Sequence, residues 1–98
     1  MTVKTTKEAD KLTIALQGRL NVSSAAELKE FVDSELEGVT ELVFDLGELE
    51  FISSAGIRVI ASAQKRMAKQ GNMKIKNPNS VVTEIFNMTG LINVFNIE

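Results

Sequence analysis

Residues 42–60, LVFDLGELEFISSAGIRVI, decide the fold. Leu42, Val43, Phe44 and Leu46 are apolar and only Asp45 interrupts them. That density predicts a strand buried on both faces, although periodicity alone does not separate it from a short buried helix. Gly47-Glu48-Leu49-Glu50 reads as a polar turn, followed by Phe51-Ile52, the pair Ser53-Ser54, and Ala55-Gly56-Ile57 as the small-residue start of a helix. A core strand is therefore expected to pass through a tight loop and present two hydroxyls at a helix N-terminus.

Outward from this stretch, the helix should run from about Ser54 to Gln70 and stop at Gly71. Gly56, Ile57, Ile60, Ala61, Ala63 and Met67 make its apolar face, and Arg58, Ser62, Lys65, Arg66 and Lys69 its polar stripe. Its cations crowd the C-terminal half, where the helix dipole favours them. Upstream, residues 3–18 read as two strands around the polar tip 7–11. Leu12, Ile14 and Leu16 alternate with Thr13, Ala15 and Gln17, and Gly18 ends the second strand. Ser24-Ala25-Ala26-Glu27 fits a capping box. It predicts an amphipathic helix from Ser24 to Glu37 with Ala25, Leu28, Val32 and Leu36 inward, Phe31 beside them and Gly38 as its C-terminal cap. Downstream, Met73 and Ile75 alternate with lysines in a short strand. Asn77-Pro78 opens a third helix with Val81, Val82, Ile85 and Phe86 inward. Thr89-Gly90 closes it, and Val94–Ile97 reads as a last strand. The order is β-β-α-β-α-β-α-β in one domain, residues 1–98. It is an α/β class built on a small mixed sheet with the helices mainly on one face.

Composition narrows the function. The 98 residues are 44% hydrophobic and 24% charged, ordinary for a soluble globular domain. No stretch approaches the ~20 apolar residues of a membrane span. The N-terminus lacks the apolar core of a signal peptide, so a cytoplasmic protein without membrane insertion is expected. The chain has neither histidine nor cysteine. This excludes Ser-His-Asp and Cys-His nucleophile systems and leaves little for a zinc site. A hydrolytic enzyme is disfavoured, and neither metal nor cofactor is expected. The net charge of −2 and the absence of Trp and Tyr argue against a nucleic-acid partner. The glycines fit neither nucleotide-binding fingerprint.

The serine pair remains. Ser is a preferred N-cap residue, so one hydroxyl is expected to cap the helix while the other projects outward. An outward hydroxyl at a helix N-terminus suits phosphorylation, because amide donors and the dipole stabilise the phosphate. The modification would add about −1.5 to −2 charges and intensify the acidity of Glu48 and Glu50 nearby in sequence. Asp45, Glu48 and Glu50 otherwise suit a strand end and turn, with no ion-loop spacing. The cationic stripe reads as a solvated helix face or a docking edge.

The run Asp45-Leu46 with Leu49-Glu50-Phe51-Ile52-Ser53-Ser54-Ala55-Gly56-Ile57-Arg58-Val59 resembles the signature of STAS domains, the bacterial anti-sigma-factor antagonists. Gly18-Arg19-Leu20-Asn21, the segment from Gly71 to Pro78, and Thr89-Gly90-Leu91 with Val94-Phe95 agree with it in order. The resemblance implies a small mixed sheet and a partner switch. The unphosphorylated antagonist binds an anti-sigma factor that is itself a serine kinase; phosphorylation at the start of the second helix releases it, and a serine phosphatase restores it. Many members carry Asp-Ser-Ser/Thr-Gly and are phosphorylated on the residue before the glycine. Here that residue is Ala55, so the resemblance passes the phosphorylated position to Ser54, with Ser53 second. Asn21 stands where many members have Asp. Asn21, Ser53, Ser54, Gly56 and Arg58 are the partner-binding positions it implies. The alternative is a STAS module without a phosphoswitch, serving as a scaffold, a ligand sensor or a transporter accessory.

Overall fold

The computed structural model describes Met1–Glu98. Strands β1 (Thr2–Glu8) and β2 (Lys11–Leu20) form a hairpin, and helix α1 (Val22–Glu35) leads to β3 (Glu41–Ile52). Helix α2 (Ser54–Gln70), strand β4 (Asn72–Lys76), helix α3 (Ser80–Met88) and a short 3-10 turn (Leu91–Asn93) follow. The sheet order is β1-β2-β3-β4. β1 is antiparallel to β2, and β2, β3 and β4 are parallel, each joined to the next by one helix.

The pleat separates two faces. Leu12, Ile14 and Leu16 of β2, Leu42, Phe44 and Leu46 of β3, and Met73 and Ile75 of β4 enter one continuous core with α1, α2 and α3. Thr13, Ala15 and Gln17, Glu41 and Asp45, and Lys74 and Lys76 alternate with them, on the face without helices. Val43 is buried on that open face, outside the main core, between its register partners Thr13 and Lys74. The mixed sheet with helices on one face is the expected class.

Several expectations need correction. The polar turn at 47–50 does not exist, because β3 runs unbroken to Ile52. Its register against β2 slips twice. Ala15 and Gln17 face Asp45 and Glu48, and Gly18 and Arg19 face Leu49 and Phe51, so β3 carries one extra residue at each place. Each bulge resets the alternation. Leu46, Leu49 and Ile52 therefore all point into the core at a spacing of three. Gly18 does not end β2 but sits at the second slip with φ +98°, where a side chain would be strained.

Helix α1 starts earlier than expected, with Asn21 rather than Ser24 as N-cap, and its C-cap is Leu36 rather than Gly38. Asn21 Oδ1 accepts from Ser24 N–H at 3.0 Å, and Ser24 Oγ accepts from Asn21 N–H at 2.9 Å. This is a capping box with serine in the third position where a glutamate was read. The inward face of Ala25, Leu28, Val32 and Leu36 is as expected. Helix α3 is capped by Asn79, not Asn77, which takes φ +58° instead. The last strand shrinks to a single parallel bridge between Ile75 and Ile97. Glu98 pins this tail through Lys74 at 3.3 Å and Lys76 at 3.9 Å.

Helix α2 has the expected limits, Ser53 before it and Gly71 after it. Ala61 is only partly covered, and Val59 joins the buried face in addition to the residues expected. Two glycines let it lie close. A Cβ on Gly71 would run into the backbone carbonyl of Thr40. A Cβ on Gly56 would stand 2.6 Å from Cγ of the fully buried Leu20. Replacing Gly56 by Ala is therefore expected to destabilise the fold by about 1–3 kcal/mol, the usual cost of overpacking. Urea unfolding monitored by circular dichroism measures it. An unchanged midpoint would show that α2 does not close on Leu20 as described.

Candidate functional site at the start of the second helix

Leu20 and Ile52 are register partners at the C-terminal ends of β2 and β3. Ser53 N–H donates to Leu20 C=O at 2.8 Å, one residue past the strand. This last rung sets the N-cap of α2, Ser53, beside the N-cap of α1, Asn21. The crevice beyond the carboxyl ends of parallel strands is the usual ligand-binding edge of such sheets. Ser24 Oγ also donates to Arg19 C=O at 3.1 Å, which ties the start of α1 to the end of β2. The Arg19 guanidinium lies 4.7 Å from the centroid of the Phe51 ring, across the same strand pair.

The two serines have separate tasks. Ser53 is partly buried, and its Oγ accepts from Gly56 N–H at 3.1 Å, satisfying one of the helix's free amides. Ser54 is exposed as the first residue of α2, and its hydroxyl makes no hydrogen bond within the chain. Ala55 turns toward α1. Gly56 is buried against Leu20, so among the expected partner-binding positions it shapes the site from beneath. Asn21 and Arg58 are exposed on the same edge and the adjoining helix face.

Between α1 and α2 lies an open groove of about 330 Å³. Val22, Ala25, Ala26, Ala55 and Val59 supply its apolar lining, and Lys29, Arg58 and Ser62 its polar lining. Val22 is 71% exposed although it is a branched apolar residue at the first position of α1. Sequence reading missed both Val22 and Lys29. The signal for Val22 was a valine directly after a capping asparagine, where burial has no claim on it. Lys29 pairs with Asp33 at 2.7 Å on the exposed side of α1.

Asp45 and Glu48 are engaged away from the serines. Asp45 Oδ1 accepts from Gly47 N–H at 3.0 Å, and Glu48 accepts from Gln17 Nε2 at 2.6 Å on the open face of the sheet. No group of three carboxylates is placed to hold an ion. Glu48 therefore does not extend an acidic patch to Ser54, contrary to expectation. The cationic stripe is partly engaged, with Arg66 Nη1 donating to Asp33 C=O at 3.2 Å. No helix is long and apolar enough to cross a membrane.

Comparison with known proteins agrees with this geometry. The STAS domain family model matches residues 1–98. A Bordetella bronchiseptica protein provisionally named the anti-sigma factor antagonist BtrV is 33% identical over 86 residues, 86% of this chain and 74% of that protein. The structure of an anti-sigma factor antagonist from Mycobacterium paratuberculosis superposes with a TM-score of 0.88 at 18% identity, over 98% of this chain and 83% of the other. The unphosphorylated form of the anti-sigma factor antagonist SpoIIAA superposes at 0.84 with 18% identity, over 99% and 88%. With its element order, its paired helix starts and a family match along the whole length, the chain belongs to the STAS domain family.

Proposed function

We propose that this chain is an anti-sigma factor antagonist that works by partner switching in the cytoplasm. Unmodified, it binds an anti-sigma factor through the exposed edge formed by Asn21, Ser53, Ser54 and Arg58. The partner is a serine kinase that transfers the γ-phosphoryl group of ATP to Ser54 Oγ; the hydroxyl proton is lost and ADP leaves. The phosphate adds about −1.5 to −2 charges and bulk in the middle of the docking edge, and the complex separates. A serine phosphatase hydrolyses the ester and restores binding. The proposal makes the chain a binding module rather than an enzyme.

The division of labour between the serines carries this reading. Ser53 is held by the helix it caps, whereas Ser54 is exposed and uncommitted. Support also comes from BtrV, whose provisional name is that of an antagonist, and from SpoIIAA, whose fold is known in a phosphorylated form as well. Ala55 favours a second reading, a module without a phosphoswitch, since this residue lines the groove and has no hydroxyl at the position many members phosphorylate.

Incubation with ATP and the cognate anti-sigma factor kinase should place one phosphate in the tryptic peptide spanning residues 30–58, and fragmentation should assign it to Ser54. A phosphate elsewhere, or none from a kinase shown to bind, would sink the site and favour the second reading. Ser54→Asp should weaken binding to that kinase about ten-fold or more, equivalent to ~1.4 kcal/mol. Undiminished affinity in calorimetry would contradict the switch. Ser53→Ala should lower stability by about 0.5–2 kcal/mol through the lost cap and still accept phosphate at Ser54. Thermal unfolding and the same labelling assay check both halves.

A further inference from the structure

The chain has three arginines, Arg19, Arg58 and Arg66. Arg19 lies over the Phe51 ring, and Arg66 donates to the carbonyl of Asp33. The ion pairs involve Lys29, Lys74 and Lys76. Arg58 alone among the arginines has an exposed guanidinium with no carboxylate, carbonyl or ring to hold it. Ser54, four residues earlier on α2, is the exposed member of the serine pair, and its hydroxyl makes no hydrogen bond within the chain. Residues four apart on a helix are surface neighbours with Cβ atoms about 5–6 Å apart, and an anion N-terminal to a cation is the favourable orientation. Arginine suits this task better than lysine because its planar fork matches phosphate oxygens two at a time.

Building on the assignment of the switch to Ser54, we propose that Arg58 is the receiver of the Ser54 phosphate. The modification then does more than add charge at the edge. It draws the Arg58 guanidinium toward the start of α2 and away from the mouth of the α1/α2 groove. Of the two cations lining that groove, Lys29 is already held by Asp33. Phosphorylation therefore removes from the groove the cation that no carboxylate of the chain holds. The docking edge is altered at two places one helical turn apart by one covalent event.

The test needs no partner. Phosphoserine is installed at position 54 of the full chain by genetic encoding, and the second ionisation of the phosphate is followed by phosphorus NMR. An exposed pair of this spacing is worth a shift of about 0.2–0.4 pH unit. The phosphate should titrate lower by that amount in the parent than in Arg58→Gln. Arg58→Lys should keep only part of the shift, and Arg66→Gln, two turns further along, should leave it unchanged. The Arg58 Nε–H signal should also move on phosphorylation. Equal titration in the parent and Arg58→Gln, or an unmoved Nε–H signal, overturns the proposal, as does an equal effect from Arg66→Gln. Because the phosphate is installed rather than enzymatic, this failure is distinct from that of the Ser54 assignment. Kinase mapping to another residue refutes the assignment, and equal titration refutes the role of Arg58.

Discussion

The hydrogen bond from Ser53 N–H to Leu20 C=O closes the parallel ladder between β2 and β3 just beyond their last paired residues. Everything at the functional edge depends on that closure. It fixes where α2 begins relative to α1, and it brings Gly56 down onto Leu20, where a side chain would not fit. Asn21 and Ser24 lock the other helix start to the same strand end through their reciprocal hydrogen bonds. The edge is thus built from strand ends and helix first turns. Those are the rigid parts of an α/β fold, so the exposed side chains there are presented without the entropy cost of an ordered loop.

Much of this was legible in the sequence because the strongest signals are local. The limits of α2 followed from a serine before a run at helical spacing and a glycine after it. That one serine caps the helix and the other projects outward followed from the same signals, while the choice of Ser54 came from the family resemblance. What escaped reading was set by pairing with distant residues. The two bulges in β3 exist only relative to β2, and they convert a polar-looking stretch, Gly47 to Glu50, into strand with Leu49 in the core. The start of α1 was misplaced because Asn21 and Ser24 are both good caps, and only the geometry shows that they act together. Val94–Ile97 has strand composition, yet the chain leaves the 3-10 turn with room for one bridge to β4. At the site itself, the resemblance made Gly56 a partner-binding position, and the fold buries it against Leu20.

The groove between α1 and α2 has a similar origin. Small side chains at Ala25, Ala26 and Ala55 leave space between the two helices on their outer side, while Leu28, Ile57 and Ile60 fill it beneath. A helix pair meant only to cover a sheet would gain by filling that space with larger apolar groups. Val22 stands at its rim with nothing of its own chain to cover it. Exposed apolar surface beside an unheld arginine is the composition of an interface core with a charged neighbour, where aromatic or aliphatic anchors and arginine carry most of the binding energy.

One further consequence follows from the parallel order of β2, β3 and β4. Helices α1 and α2 each leave a strand's carboxyl end and return to the next strand's start, so the two point the same way and begin at one edge, and α3 starts after the carboxyl end of β4. Their peptide dipoles align rather than cancel, and each helix end carries roughly half a positive charge there. No acidic residue occupies the first turn of any of the three. The edge is therefore an electrostatic sink that the folded chain leaves unfilled. A negative group arriving there relieves repulsion between the aligned ends of α1 and α2, whether it is carried by a bound molecule or attached to the chain itself.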